Sequence, residues 1–236
     1  MLILAGLEPE GRAGLLADAE AVREQGAQPV AVATALTAQG EPTFLIQPVP
    51  AAMVGAQVRA ALERGPVHAV KLGMVGDPAA LERARALVPS SVPWVVDPVV
   101  RTSRGQRLSP MRSADYRALA GPGVVITPNA LEAAWLLGEE SVAPTARWAA
   151  AAAQRLVSLG FGGAVVKGGH LRGRAVDAVA DGDGVTQLDG RRLKADRRGT
   201  GCRFAAALAA SLADGLALPE AAAEAKAVVA RYLGGP

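Results

Sequence analysis

Gly199-Thr200-Gly201-Cys202 places two glycines and a thiol at the head of an alanine-rich run that reads as a helix. Glycines ahead of a helix let backbone N–H groups converge, and the helix N-terminus adds partial positive charge, so the segment fits an anion hole. A cysteine in that first turn has its thiolate favoured. The same residues also fit a plain glycine turn with a small buried cysteine. Asn129 and Glu132 follow Thr127-Pro128. At i and i+3 they share a helix face, where an amide and a carboxylate can meet one hydrated cation. They equally make a capping box, with Asn at the N-cap and Glu three residues on. Asp97 leaves the β-prone run Val92–Val96. A carboxylate there can approach Mg2+ or phosphate-bound water, or simply turn the chain before Pro98. Lys167 closes an apolar strand in a chain whose only other lysines are Lys71, Lys194 and Lys226. It supplies a point charge for phosphate, or snorkels from a strand end; Lys71 ends a strand in the same way. Gln39 offers the paired donor and acceptor that a heterocycle edge needs, and Met74 an adaptable apolar wall. A surface amide and a core methionine are the plainer readings of these two.

These residues need a scaffold that brings them together. The spacing predicts strands at Leu2–Ala5, Pro29–Thr34, Ala69–Leu72, Val92–Val96, Val124–Thr127 and Ala164–Lys167. Helices alternate with them at Leu15–Gln25, Pro50–Arg64, Pro78–Leu87, Leu131–Leu137 and Thr145–Leu159. Short, wholly apolar strands of this kind are buried on both faces, which gives a mostly parallel sheet between two helix layers. After Gly173 the texture changes to short runs, Ala175–Ala180, Val185–Leu188 and Arg191–Lys194, separated by Asp-Gly turns as in hairpins. Helices at Cys202–Asp214 and Pro219–Leu233 finish the chain. Ligands of open α/β sheets bind outside the carboxyl ends of the strands, where each residue named above falls.

Composition narrows the field. A length of 236 residues suits one α/β domain, or at most two small ones. One cysteine and two distant histidines, His68 and His170, leave no disulfide framework and no usual structural zinc site. A net charge of +3 without a long basic block gives no nucleic-acid footprint. No stretch approaches the roughly 20 apolar residues that span a bilayer, and the start lacks a basic n-region. The chain is therefore expected to be soluble and cytoplasmic. A Walker loop, a dinucleotide fingerprint, a nucleophile elbow and a zincin helix are all absent.

Taken together, Gly11–Asp18, Thr34–Gln39, Lys71–Met74, Val96–Val99, Ile126–Glu132, Val166–Leu171, Ala175–Asp177 and Gly199–Cys202 form an ordered set from end to end. That set resembles the hydroxymethylpyrimidine/phosphomethylpyrimidine kinases of thiamine biosynthesis. The resemblance implies one ribokinase-like domain over residues 1–236, a three-layer α/β/α fold with a mostly parallel central sheet and a small β-hairpin region near the C-terminal third. It implies phosphate transfer from ATP with Mg2+ to the hydroxymethyl group of the pyrimidine, and then to its monophosphate. Cys202 would be the general base, a choice that suits a thiol with an ordinary pKa of about 8.5. The N–H groups of Gly199, Thr200, Gly201 and Cys202 would form the anion hole. Asp97, Asn129 and Glu132 would organise phosphates, with Asp97 and Glu132 on the metal, and Lys167 would lie near the ATP phosphates. Ala13, Asp18, Gln39, Met74 and Val99 would line the pyrimidine pocket. Family members commonly dimerise, so a homodimer is expected. Two rivals stay open: the same fold acting on another vitamer alcohol such as pyridoxal, and a pyrimidine-binding protein without turnover.

The sequence departs from the family pattern in three loops. Arg12, Arg101, Arg198 and Arg203 stand where the family has other residues. Arginine fits phosphate bidentately. Either these arginines read a substrate that is already phosphorylated, or the site has drifted toward weak or lost catalysis.

Overall fold

The computed structural model describes residues 1–40, 42–102, 105–140, 144–171, 174–190, 192–193 and 197–234. Among these residues nine strands form one sheet: β1 (Leu2–Leu7), β2 (Val30–Gln39), β3 (Phe44–Pro48), β4 (Val70–Leu72), β5 (Trp94–Val96), β6 (Val124–Ile126), β7 (Gly163–Val166), β8 (Asp177–Asp181) and β9 (Gly184–Leu188). Their spatial order is β3-β2-β1-β4-β5-β6-β7-β8-β9. The six strands from β2 to β7 in that order run parallel, while β3 and β8 are antiparallel to their inner neighbours. The helices are α1 (Gly14–Glu24), α2 (Ala51–Glu63), α3 (Pro78–Leu87), α4 (Ser113–Arg117), α5 (Ala130–Leu137), α6 (Ala146–Ser158), α7 (Thr200–Ala213) and α8 (Leu218–Tyr232).

The period-two alternation of a strand sorts the core into two layers. Leu2, Leu4, Val96, Ala164 and Val166 face α2, α3, α5 and α6. Ile3, Ala5, Val95 and Val165 face α1, α7 and α8. The outcome is the three-layer α/β/α arrangement. Alanine abundance has a use here: Ala205–Ala207, Ala209 and Ala210 of α7 are fully buried, as are Ala221, Ala222 and Ala225 of α8. A helix apolar all round is a core helix. The head of α7 is therefore anchored by the most enclosed helix of the fold.

Two elements differ from expectation. The second strand runs on to Gln39 instead of stopping at Thr34, because Phe44–Pro48 pairs back onto Ala35–Gln39. Partial burial of Phe44 and Ile46 beside exposed Leu45 gives that partner strand its alternation. Gln39 thus sits on a ribbon, not in a loop. Ser113–Arg117 forms an unforeseen short helix, closed by a capping box from Asp115. The β8–β9 hairpin is present and extends the main sheet. Of the expected third run, Arg191 and Lys194 lie outside the described residues.

The chain leaves β1 for β2 on one side and returns to β4 on the other, so the strand order reverses beside β1. That switch point opens a crevice at the carboxyl ends of the strands.

Candidate active site

Gly199 is the N-cap of α7 and has φ +83°, a left-handed conformation that favours glycine. A Cβ there would lie 2.0 Å from the carbonyl oxygen of Arg12. The Gly199 carbonyl accepts from Arg203 N at 3.0 Å, which closes the first helical turn. The N–H groups of Thr200, Gly201 and Cys202 lie ahead of any intrahelical acceptor, and they carry the positive end of the helix dipole. Gly201 permits a close approach: a Cβ on it would sit 3.1 Å from Lys167 Nζ and 3.8 Å from Asp97 Oδ2. Gly199→Ala meets both the left-handed conformation and the Arg12 backbone. Strain of about 1–3 kcal/mol is expected, read as a Tm lower by several degrees in a thermal melt.

Asp97 and Lys167 come together from the ends of β5 and β7. Lys167 Nζ donates to Asp97 Oδ1 at 2.7 Å, with the Asp97 side chain 3% exposed. Lys167 N donates to the Pro128 carbonyl at 2.9 Å, which seats Asn129 beside it. Asn129 Oδ1 accepts from Leu131 N and Glu132 N at 2.9 and 3.0 Å, and Glu132 Oε2 accepts from Asn129 N at 2.8 Å. The capping box is real, and it also holds the Glu132 carboxyl within electrostatic reach of Lys167 and Asp97. Burial pushes the Glu132 carboxyl up to about 7; the nearby Lys167 ammonium opposes that shift and the Asp97 charge adds to it.

Asp18 and Lys71 lie deeper. Lys71 Nζ donates to Asp18 Oδ2 at 2.6 Å, and both side chains are fully buried. Burial alone would lower the ammonium's pKa, yet the charges of Asp18, Cys202 and Asp97 outweigh it and raise it. Burial lifts the Asp18 carboxyl to about 6 against the pull of Lys71. Asp18 Oδ1 is buried without a partner. Asp18 is thus fully enclosed and tied to Lys71, and Lys71 turns inward instead of snorkelling. Asp18→Asn removes the charge that Lys71 needs. Such a change costs about 3–5 kcal/mol, measurable by denaturant unfolding. A double replacement, Asp18→Leu with Lys71→Met, should recover most of that loss.

Cys202 stands at the third position of α7, half-buried and free. Burial and the charge of Asp18 push its thiol up to about 11; Lys71 and a hydrogen bond from the Gly14 backbone oppose the shift. This reverses the expectation that the helix start keeps the sulfur ionised. Two carboxylates and desolvation outweigh the helix dipole.

Met74 is buried with Ala35 and Leu108, and Val99, Phe44 and Ile46 pack on that cluster. A Cβ on Gly6 would lie 2.7 Å from Met74 Sδ. Ala13, in extended conformation, heads α1. Gln39 Nε2 donates to Thr37 Oγ1 at 3.1 Å, and Thr37 in turn donates to the Leu7 carbonyl. Gln39 Oε1 accepts from Arg198. The other divergent arginines are engaged elsewhere. Arg203 is buried, pairs with Glu20 and stacks on Tyr232 at 3.8 Å, so it is a packing residue and not a phosphate reader. Arg12 pairs with Glu10 on the surface, and Arg101 folds back onto the Gly105 carbonyl. Sequence reasoning missed Glu8, whose buried carboxylate accepts from Glu10 N and Arg12 N and shapes the first loop. An acidic residue two and four positions before loop amides was its one available signal.

The geometry gathers an anion hole, a lysine, two carboxylates and a thiol at one strand edge, a set suited to phosphoryl transfer. Residues 8–234 match the phosphomethylpyrimidine kinase family. The chain is 37% identical over 232 residues to the hydroxymethylpyrimidine/phosphomethylpyrimidine kinase of Rhizobium meliloti, covering 96% of this chain and 87% of that one. It is 33% identical over 228 residues to the thiamine biosynthesis multifunctional protein ThiED of Corynebacterium glutamicum, covering 94% of this chain and 30% of that one. Among solved structures, the pyridoxal kinase from Staphylococcus aureus in complex with ADP superposes with a TM-score of 0.86 at 30% identity, over 97% of this chain and 85% of that one.

Proposed function

The chain belongs to the phosphomethylpyrimidine kinase family, and we propose how its residues divide the work of that reaction. It is a kinase of thiamine biosynthesis, transferring phosphate from ATP to the hydroxymethylpyrimidine and its monophosphate. The observation that carries the assignment of roles is the position of Gly201 against Lys167 and Asp97. It puts donors from α7 and a cation from β7 around one point. There the N–H groups of Thr200, Gly201 and Cys202 hold the charge that builds on the transferred phosphoryl group. Lys167 neutralises a phosphate oxygen. Ala13, Gln39, Met74 and Val99 hold the ring, and Asp18 with Lys71 supports that wall from behind. The whole chain, 1–236, acts as one catalytic unit, which the continuous sheet supports.

Mg2+ fits this donor set. It is usually held by one or two carboxylates together with phosphates and water, not by an all-protein cage. Among the described residues no group of three or more His, Cys, Asp or Glu side chains forms such a cage. Asp97, whose Oδ2 is not the atom bound by Lys167, and Glu132 would hold the ion. Bound there, Mg2+ neutralises charge on the phosphates.

The two steps differ in their nucleophile. In the first, the pyrimidine hydroxyl attacks the γ-phosphorus; the new O–P bond forms, the bond to the β-phosphate oxygen breaks, ADP leaves and the hydroxyl proton must be taken up. In the second, the nucleophile is an oxygen of the substrate's own phosphate, already ionised above its second pKa of about 6. Only the first step needs Cys202 as a base.

A homodimer fits the exposed face of the β2–β3 ribbon, where Leu36 and Leu45 stand 47% and 65% exposed on the same side. Equilibrium sedimentation tests it, and a monomer at micromolar concentration would exclude it. A cytoplasmic setting suits an ATP-consuming enzyme with an unpaired thiol at its centre. Among the described residues no helix is long and apolar enough to cross a membrane.

The deciding assay couples ADP release to the pyrimidine alcohol, its monophosphate and pyridoxal. Turnover of either pyrimidine above pyridoxal is the expected result. Pyridoxal as the preferred substrate would overturn it, and so would pyrimidine binding without ADP release.

A further inference from the structure

Among the described residues, Arg198 is the divergent arginine that hydrogen-bonds a residue assigned to the pyrimidine pocket. Its backbone is pinned, because the Arg198 carbonyl accepts from Tyr232 Oη at 3.0 Å. Tyr232 is itself held between Arg203 and Arg197, whose guanidinium carbons lie 3.8 and 5.4 Å from the ring centroid. From that fixed base the guanidinium crosses from the residue preceding the anion hole to the tip of β2, where Nη2 donates to Gln39 Oε1 at 2.5 Å. Among the described residues no carboxylate pairs with Arg198, whereas Arg12 and Arg203 each have one. A half-buried guanidinium with a neutral partner, beside a helix N-terminus, has its electrostatic complement missing. A phosphate monoester supplies it.

Gln39 makes the contact informative. One N–H of its Nε2 is donated to Thr37 Oγ1, which fixes the amide, and Oε1 is its acceptor. Arg198 occupies that acceptor. A ring amino group that needs Gln39 Oε1 must compete with the guanidinium, which holds one of that oxygen's two lone pairs. A substrate that brings its own phosphate gives Arg198 a stronger, charge-assisted partner and frees Gln39 in the same event. The free alcohol offers no such exchange.

We propose that Arg198 is a specificity residue that selects the phosphorylated pyrimidine over the free alcohol by exchanging Gln39 for the substrate's phosphate. This rests on the kinase reading above. The test compares wild type, Arg198→Ala and Arg198→Lys with both substrates. Loss of one charged hydrogen-bonded contact corresponds to roughly 10–100-fold. KM for the monophosphate should rise by that factor in Arg198→Ala, while KM for the alcohol falls a few-fold because Gln39 is unblocked. Arg198→Lys should lie between. Equal losses on both substrates would mark Arg198 as merely structural and overturn the proposal, as would a wild type with equal kcat/KM for the two. Calorimetric titration of both substrates in the absence of ATP reads the same discrimination without turnover. A protein that binds the monophosphate through Arg198 yet releases no ADP would sink the kinase reading and leave this inference standing.

Discussion

Cys202→Ala is expected to separate the two phosphorylations. Turnover of the free alcohol should fall by about 10²–10⁴, the usual contribution of a positioned general base. Turnover of the monophosphate should fall by less than about tenfold, since its nucleophile arrives ionised. The pH profile provides the second readout. With the thiol pushed up to about 11, the active thiolate is a minor species at neutral pH. It grows about tenfold per pH unit as pH rises toward that value. The kcat/KM for the alcohol should therefore climb across pH 7–9 in the wild type, with the climb absent in Cys202→Ala. For the monophosphate it should level off above roughly pH 6–7 in both proteins. Equal losses on both substrates, with parallel pH profiles, would remove Cys202 from the role of base and leave it as a wall of the anion hole.

That split could not be anticipated from the sequence, and the reason is physical. Residue type and local spacing showed that Cys202 opens a helix, and from that alone a depressed pKa follows. The opposing influences are burial first, then the charges of Asp18 and Asp97, far away in the chain and brought close only by the fold. What was legible was local. The Asn129/Glu132 box, the Gly-Thr-Gly turn and the strand-terminal Asp97 are all set by neighbours within a few residues, and each stands where its spacing put it. What was not legible was pairing across the fold. The partners Lys71 and Asp18 are 53 residues apart and Arg198 and Gln39 are 159 apart. Arg203 looked like a free charge because nothing near it in sequence announces Glu20 and Tyr232. The third strand escaped notice because an edge strand with one solvated face carries a weak apolar signal.

Lys167→Met should lower kcat by about 10²–10³ for both substrates, the scale of losing one preorganised charge at a developing oxyanion. Unlike Cys202→Ala, it should not discriminate between them, because the transferred phosphoryl group is common to both steps. Two further consequences follow from its neighbours. Asp97, nearly buried, loses its ion-pair partner, which costs about 3–5 kcal/mol when the remaining charge is left unpaired. The Glu132 carboxyl, at about 7 and opposed in that rise by Lys167, moves higher still. It is then protonated over more of the neutral range, so the residual activity should set in at a higher pH than in the wild type. Stability has the opposite sign. A carboxyl whose folded pKa lies above its unfolded value favours the folded state below the unfolded pKa, and this contribution is lost as pH rises through the folded one. The variant should therefore lose stability over a window that extends to higher pH than the wild-type window between about 4.5 and about 7. Lys167→Met combined with Asp97→Asn removes the unpaired buried charge, and with it the carboxylate placed on Mg2+. The double variant should regain much of the stability and none of the activity. Recovery of activity along with stability would mean that Lys167 and Asp97 serve only to satisfy each other, that Asp97 is not needed on the metal, and that the positive charge at the phosphate comes from the head of α7.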